Sequence, residues 1–196
     1  MCVAYLSKII TNKVGHSMRA FFGLSPDVKT KLAIEVWRDK AFPHFDAPVP
    51  AANFHVTLAF LGQVMLGQLD ELCESVNQIT DIHTFDVSLN QVGYWSKPKA
   101  LWLGCKDTGN EHLQLAKKLS QIANSIGLQL PKQDYIAHLT VARKCSVNPT
   151  APLIEPTFNW RNAEFHLFES VSGKNGVSYH IRHSWPLAKV FAFKST

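Results

Sequence analysis

A chain of 196 residues with 46% hydrophobic residues can bury a substantial core, which excludes a disordered protein. Its formal net charge of +5 favours an anionic ligand such as a phosphate ester or nucleic acid, although no run of lysine and arginine marks a long phosphate-tracking surface. Cys2, Cys73, Cys105 and Cys145 form no C-x-x-C pair, and no apolar stretch approaches the roughly 20 residues that cross a bilayer, so we expect a cytoplasmic protein without a disulfide framework.

The first 17 residues are predicted to form a flexible extension. They lack the charged start, the long apolar middle and the small-residue cleavage site of a signal peptide. Met18 stands directly before an apolar segment and is an alternative start of translation. Residues 18–196 are therefore expected to form a single domain.

The spacing of apolar residues predicts strands and helices along most of the chain. In chain order, the predicted elements are a strand at 19–24, a helix at 26–38, a loop at 41–53, a strand at 54–61, a helix at 67–79, strands at 85–92 and 100–105, a helix at 110–126, a strand at 135–142, a loop at 146–156, and strands at 160–170 and 176–185.

Two of the predicted helices have features that can be compared with the structure. The first helix is expected to have Ser25 at its N-cap and Pro26 at its first position. Two alternative sets of residues fit its inner side: Val28, Leu32 and Val36, or Ile34 and Trp37. The helix at 110–126 has the most regular apolar stripe of the chain. The stripe consists of Leu113, Leu115, Ala116, Leu119, Ile122, Ala123 and Ile126.

A strand–helix–strand unit occurs twice in this pattern. The first unit joins the strands at 19–24 and 54–61, and the second joins those at 101–105 and 135–142. In each unit the second strand contains a His-x-Thr sequence. The pattern therefore predicts an α+β fold with a degenerate internal repeat.

The two His-x-Thr motifs carry the chemistry that the sequence suggests. On a strand, residues i and i+2 lie on the same face, roughly 6.6 Å apart. Each histidine should therefore share a face with its threonine, while the alternate residues pack on the opposite side. The motifs are His55-Val56-Thr57-Leu58 and His138-Leu139-Thr140-Val141.

Two imidazoles that face each other across a cleft could open a cyclic phosphodiester. One would accept a proton from the attacking water while the other protonates the departing ribose oxygen. The threonine hydroxyls could hydrogen-bond the phosphoryl oxygens, and the scheme requires no metal and no cofactor. A single strand histidine is more often structural, so the spacing alone leaves a structural role and a catalytic role open.

The segments around the motifs resemble the two-histidine phosphoesterase superfamily. Within it, the chain is most similar to the bacterial and archaeal RNA 2′,3′-cyclic phosphodiesterases, which are also described as 2′–5′ RNA ligases. The resemblance extends from about residue 18 to residue 187. It is carried by RAFFGL at 19–24, PVPAANFHVTLAFLG at 48–62, ALWLG at 100–104 and HLTVAR at 138–143.

This resemblance implies a bilobal, duplicated α+β fold with pseudo-twofold symmetry, in which two antiparallel sheets line a central cleft and the helices lie outside. It implies that His55 is the proton donor to the leaving 3′ oxygen and His138 the proton acceptor that activates water, giving a 2′-phosphomonoester. Thr57, Thr140 and Arg143 would contact the phosphate. Family members commonly have proline just before the second histidine, whereas this chain has Ala137; the change removes no functional group.

The expected partners are RNA ends or small cyclic nucleotides bound by a monomer, with no membrane association. Reversible 2′–5′ ligation of tRNA halves at the same site is an alternative function, and a non-catalytic RNA-binding module is another. Tyr94 and Trp95 are candidates for stacking on a base, whereas Phe22 is expected in the core.

Overall fold

The computed structural model of the chain describes residues 17–42, 44–131, 134–146, 149–174 and 176–189. The predicted extension at residues 1–17 lies outside them, except for Ser17, which begins the first strand. The helices are α1 (Val28–Ala41), α2 (Leu66–Val76) and α3 (Asn110–Ser125), with a 3-10 helix at Ala51–Asn53. The strands are β1 (Ser17–Leu24), β2 (Val56–Met65), β3 (Phe85–Leu89), β4 (Gln91–Trp95), β5 (Ala100–Gly104), β6 (His138–Ala142), β7 (Phe158–Asn162), β8 (Glu164–Gly173) and β9 (Gly176–Pro186).

The strands form two main antiparallel sheets and a smaller pair. One sheet has the order β2-β1-β8-β9, and the other has the order β4-β5-β6. Strands β3 and β7 pair with each other as a two-stranded ribbon. The predicted α+β class is confirmed, with this ribbon in addition to the two sheets expected.

The repeated unit has the same element order in both main sheets. Strands β1 and β2 pair antiparallel and are joined through α1, while β5 and β6 pair antiparallel and are joined through α3. Buried apolar residues of both sheets belong to one hydrophobic cluster. Pseudo-twofold symmetry between the units, and the description of residues 18–196 as one bilobal domain, remain predictions.

Helix α1 starts later than the sequence suggested. Its N-cap is Asp27 rather than Ser25, because the Asp27 carboxylate accepts a hydrogen bond of 2.8 Å from the backbone N–H of Thr30. Of the two alternatives for its inner side, Ile34 and Trp37 are buried. Val28, Leu32 and Val36 are all more than half exposed, at 74%, 53% and 52%.

Helix α3 is also rotated slightly from the expected orientation. Its buried residues include Leu115, Ala116, Leu119 and Ala123, as predicted. Leu113 is 43% exposed, so its place in the inner stripe was wrong. His112 takes that inner position instead, with only 1% exposure.

Two predicted strands have different boundaries. The sequence predicts a strand at 54–61, but the 3-10 helix reaches Asn53 and Phe54 caps it, so β2 begins at Val56. The single strand predicted at 85–92 is divided into β3 and β4, which lie in different sheets. The chain changes sheet at Asn90, whose backbone N–H donates to the Gly104 carbonyl.

The segment before the first motif binds directly to the strand of the second. Val49 N–H donates to the carbonyl of Val141 at 3.0 Å, and Arg143 N–H donates to the carbonyl of Ala47 at 3.0 Å. The buried Arg38 of α1 donates to the Val49 carbonyl at 2.7 Å. These bonds attach the segment that precedes the first motif to α1 and to the end of β6. In the part of the chain that the structure describes, no helix is long and apolar enough to span a membrane.

Candidate active site

The two motifs occupy equivalent positions at the start of their strands. His55 precedes β2 directly, and His138 is the first residue of β6. Both histidines and both motif threonines are partly exposed. The alternate residues Val56, Leu58, Leu139 and Val141 are 0–2% exposed. The predicted alternation, with histidine and threonine on the open face, is therefore present in both strands.

Both histidine rings are held by the same local hydrogen bond. Nδ1 of His55 lies 2.7 Å from the carbonyl oxygen of Asn53, and Nδ1 of His138 lies 2.8 Å from that of Ile136. Because a carbonyl can only accept, Nδ1 must carry the hydrogen in both rings. In the neutral imidazole, Nε2 is then the nitrogen with a free lone pair, ready to accept a proton.

Burial disfavours the charged form of both imidazoles. It lowers the pKa of His55 from 6.5 to about 4, an effect partly offset by the Asn53 hydrogen bond. Burial also lowers the pKa of His138, against the opposing hydrogen bond from Ile136. The positive charge of Arg143 lowers both pKa values further. The charges of Lys31 and of protonated His138 lower the pKa of His55 as well, so both groups lie close enough to His55 to act on its titration.

Comparison with known proteins places the chain among phosphoesterases. The family model described as "LigT like Phosphoesterase" matches residues 26–102. A curated relative from Escherichia coli K12, named RNA 2′,3′-cyclic phosphodiesterase, is 30% identical over 87% of this chain and 97% of its own length. The chain belongs to the LigT-like phosphoesterase family. A relative of the same name from Archaeoglobus fulgidus is 34% identical over 52% of this chain and 57% of its own length.

Solved structures of LigT-like phosphoesterases have the same fold. The E. coli LigT crystal structure in apo form has a TM-score of 0.81 and 28% identity, and the match covers 89% of this chain and 99% of that one. E. coli LigT complexed with 3′-AMP also has a TM-score of 0.81, with 27% identity over 88% of this chain and 99% of that one. The predicted family membership is thereby confirmed.

The predicted site residues of this LigT-like chain lie at the start of β2, on β6 and just beyond β6, and His138 is close enough to His55 for its charge to act on the His55 pKa. Thr57 pairs with Gly23 of β1, and Thr140 pairs with Trp102 of β5. Arg143 is exposed just beyond β6, close enough for its charge to act on both histidines. Their roles in catalysis and phosphate binding remain predictions.

Aromatic rings surround His55. Phe21 lies 4.6 Å from the imidazole between ring centroids, Tyr179 meets it edge-on at 4.8 Å, and Phe168 lies at 5.9 Å. Phe21 and Phe168 are 2% and 5% exposed. This enclosure is the physical source of the burial that lowers the His55 pKa.

A different aromatic pair flanks His138. Trp95 meets the imidazole edge-on at 4.5 Å, and Trp102 lies at 6.3 Å. The sequence suggests Trp95 but not Trp102 as a base-stacking residue, although Trp102 lies within one of the segments that carry the resemblance. Tyr94 points away from this face, and its hydroxyl donates to the Cys145 carbonyl. Phe22 is fully buried in the core, as predicted.

Lys31 is a further cation that sequence reasoning missed. It lies on α1, is partly buried, and burial lowers the pKa of its ammonium group. Its charge acts on both His55 and His166. No pattern in the sequence marks Lys31, because its proximity to His55 arises only when α1 packs beside the sheet. Among the described residues, no three His, Cys, Asp or Glu side chains are placed to share a metal ion.

Proposed function

We propose that this chain hydrolyses the 2′,3′-cyclic phosphodiester ends of RNA to 2′-phosphomonoesters without a metal ion. The observation that carries the proposal is the matched pair of Nδ1 hydrogen bonds at His55 and His138, which leaves Nε2 of each imidazole available for proton transfer. The names of the curated relatives describe a phosphodiesterase that acts on the 2′,3′-cyclic phosphate of RNA. They also favour hydrolysis over the alternative of 2′–5′ ligation.

In the proposed mechanism, the two histidines work on opposite sides of the phosphorus. Nε2 of His138 accepts a proton from water, and the water oxygen bonds to phosphorus as the bond from phosphorus to O3′ breaks. Nε2 of His55 gives its proton to O3′, so the phosphate stays on O2′. The hydroxyls of Thr57 and Thr140 donate to the non-bridging oxygens, and the charge of Arg143 offsets their negative charge.

The acid role of His55 depends on the substrate. In the free protein its pKa is about 4, so its ring is neutral at pH 7. A bound phosphodiester anion favours the imidazolium form. The Asn53 carbonyl accepts the Nδ1 hydrogen in both protonation states, so the ring keeps its orientation while Nε2 gains and loses a proton. Binding of the anionic substrate therefore promotes protonation of His55, which gives the imidazolium that acts as the general acid.

The order of acid and base can be tested with a leaving group that needs no proton. A substrate with sulfur in place of O3′ expels a thiolate, which departs without general acid catalysis. His55→Ala should lose much less activity on this substrate than on the oxygen substrate, whereas His138→Ala should lose as much on both. If His138→Ala, and not His55→Ala, retains activity on the sulfur substrate, His138 is the acid and His55 is the base.

The proposed substrates are RNA ends or small cyclic nucleotides, handled by a monomer in the cytoplasm. The reaction itself is tested with an oligonucleotide that ends in a 2′,3′-cyclic phosphate, with and without a chelator. We expect a 2′-phosphate end at an unchanged rate in chelator. A 3′-phosphate end, or strong inhibition by the chelator, would contradict the scheme. Adding a 5′-hydroxyl strand to the same assay measures ligation beside hydrolysis.

A further inference from the structure

The open face of the β4-β5-β6 sheet carries more than His138 and Thr140. Residues directly opposite each other in adjacent antiparallel strands share a face. Trp102 pairs with Thr140 on one side and with Gly93 on the other. Trp95 lies two residues beyond Gly93 and therefore points the same way. The two indoles extend the catalytic face away from the motif.

Glycines allow the Trp102 indole to lie flat on the sheet. A Cβ atom at Gly93 would lie 2.0 Å from Cζ2 of this ring, and a Cβ at Gly104 would lie 2.5 Å from Cζ3. Any side chain at either position would therefore lift the ring off the backbone. Trp95 packs on this support with its ring centroid 5.0 Å away and the planes tilted by 37°. We call Trp95 and Trp102 the indole shelf.

The indole shelf is open, whereas most of the aromatic surface at the other histidine is closed. Trp95 and Trp102 are both partly exposed, while Phe21 and Phe168 beside His55 are buried. The indole nitrogen of Trp102 is buried and has no hydrogen-bond partner among the described residues. Hydrogen bonding therefore does not account for a tryptophan here, and the large flat surface is what the side chain provides.

We infer that the indole shelf binds the base of the nucleotide whose cyclic phosphate lies between the two histidines. This inference rests on the proposed function. A base lies one sugar ring away from its phosphate, and Trp102 lies one strand, roughly 5 Å, from the phosphate-facing Thr140. Stacking on an aromatic ring does not depend on the identity of the base, so all four bases fit and the larger purines bind more tightly.

A substrate without a base separates stacking from catalysis. The test compares kcat/KM for adenosine 2′,3′-cyclic phosphate with that for 1,4-anhydroribitol 2,3-cyclic phosphate, which has the same sugar phosphate and no base. Wild-type protein should prefer the adenosine substrate by about tenfold or more. Trp95→Leu should abolish the preference. Because Trp95 also contacts His138, any loss in the chemical step affects both substrates and cancels in the ratio.

Tyr179→Leu is the matched control, because Tyr179 is a partly exposed aromatic residue that contacts His55 in the way that Trp95 contacts His138. We expect this variant to keep the preference for the base. Loss of the preference in Tyr179→Leu with retention in Trp95→Leu would overturn the inference and place the base on the His55 side. Equal kcat/KM for the two substrates in the wild type would also overturn it, with the proposed function intact.

Two further outcomes are failure of the proposed function and misfolding of the Trp95→Leu variant. If the wild type hydrolyses neither substrate nor a cyclic-phosphate oligonucleotide, the proposed function fails and the inference fails with it. If Trp95→Leu does not fold, as judged by circular dichroism, Trp95→Phe replaces it. The smaller ring should keep only part of the preference, and a preference equal to that of the wild type would contradict the inference.

Discussion

His138 and Ile136 are joined by a hydrogen bond of 2.8 Å between Nδ1 and the carbonyl oxygen two residues earlier, and His55 makes the same bond to Asn53. This geometry predicts that both neutral imidazoles carry their hydrogen on Nδ1. Nitrogen-15 chemical shifts of the two rings near pH 8 should show protonated Nδ1 and unprotonated Nε2. The opposite tautomer at either ring would leave no free Nε2 for catalysis and contradict the proposed roles.

The value of kcat/KM should fall as pH rises above 6.5. The mechanism requires one proton on the histidine pair, and the pKa values of both His55 and His138 are lowered below 6.5 in the free protein. The singly protonated pair therefore becomes scarcer with increasing pH, and kcat/KM should decrease up to tenfold per unit. The decrease in kcat should occur at higher pH than the decrease in kcat/KM, because the bound phosphate anion favours the imidazolium. A kcat/KM that stays constant or rises from about pH 6.5 to 8 would contradict this account.

Arg38 should contribute strongly to stability because its guanidinium is buried and holds the segment before the first motif. It is 4% exposed and donates to the Val49 carbonyl at 2.7 Å and the Val141 carbonyl at 3.4 Å. Arg38→Met is expected to lower the free energy of unfolding by about 3 kcal/mol in urea titrations. Arg161→Met is the control, since the Arg161–Asp86 pair is exposed, and its effect should stay below about 1 kcal/mol. Equal effects would mean that the Arg38 bonds do not hold the site together.

Gly93 should tolerate no side chain beneath Trp102. A Cβ at Gly93 would approach this ring to 2.0 Å, so Gly93→Ala must tilt the indole and is expected to destabilise the protein by about 1–3 kcal/mol. The same variant should reduce the preference for substrates that carry a base. Gly67→Ala in α2 has open space around the new methyl group and should be neutral or stabilising by up to about 1 kcal/mol. Thermal unfolding of both variants compares the two positions, and a stable Gly93→Ala protein would show that the ring can move freely.

The strand positions of the motifs were predictable because they depend only on local alternation. A period of two places each histidine beside its threonine, and the apolar neighbours identify the buried side. The same period could not show that residues 85–92 belong to two sheets. That division depends on Asn90, whose backbone and side chain bond to Gly104 and Lys106 from another part of the chain.

The parts of the site that were missed all depend on long-range packing. Trp102 belongs to the site because β5 pairs with β6, and Lys31 because α1 packs near His55. The N-cap of α1 was wrong for a local reason. Aspartate caps a helix as well as serine does, and the hydrogen bond from the Thr30 N–H to the Asp27 carboxylate places the N-cap at Asp27. The family resemblance supplied the roles of the histidines, which strand geometry alone left open.

The central claim is that His55 and His138 together open a 2′,3′-cyclic phosphate. It is tested most directly by the rate at which His55→Ala and His138→Ala convert a cyclic-phosphate oligonucleotide, with circular dichroism to verify folding. His180→Ala is the control, because His180 is exposed on β9. We expect each motif variant to be slower than the wild type by about 10²–10⁴-fold and the control to be unchanged. A folded motif variant that turns over at the wild-type rate would contradict the account.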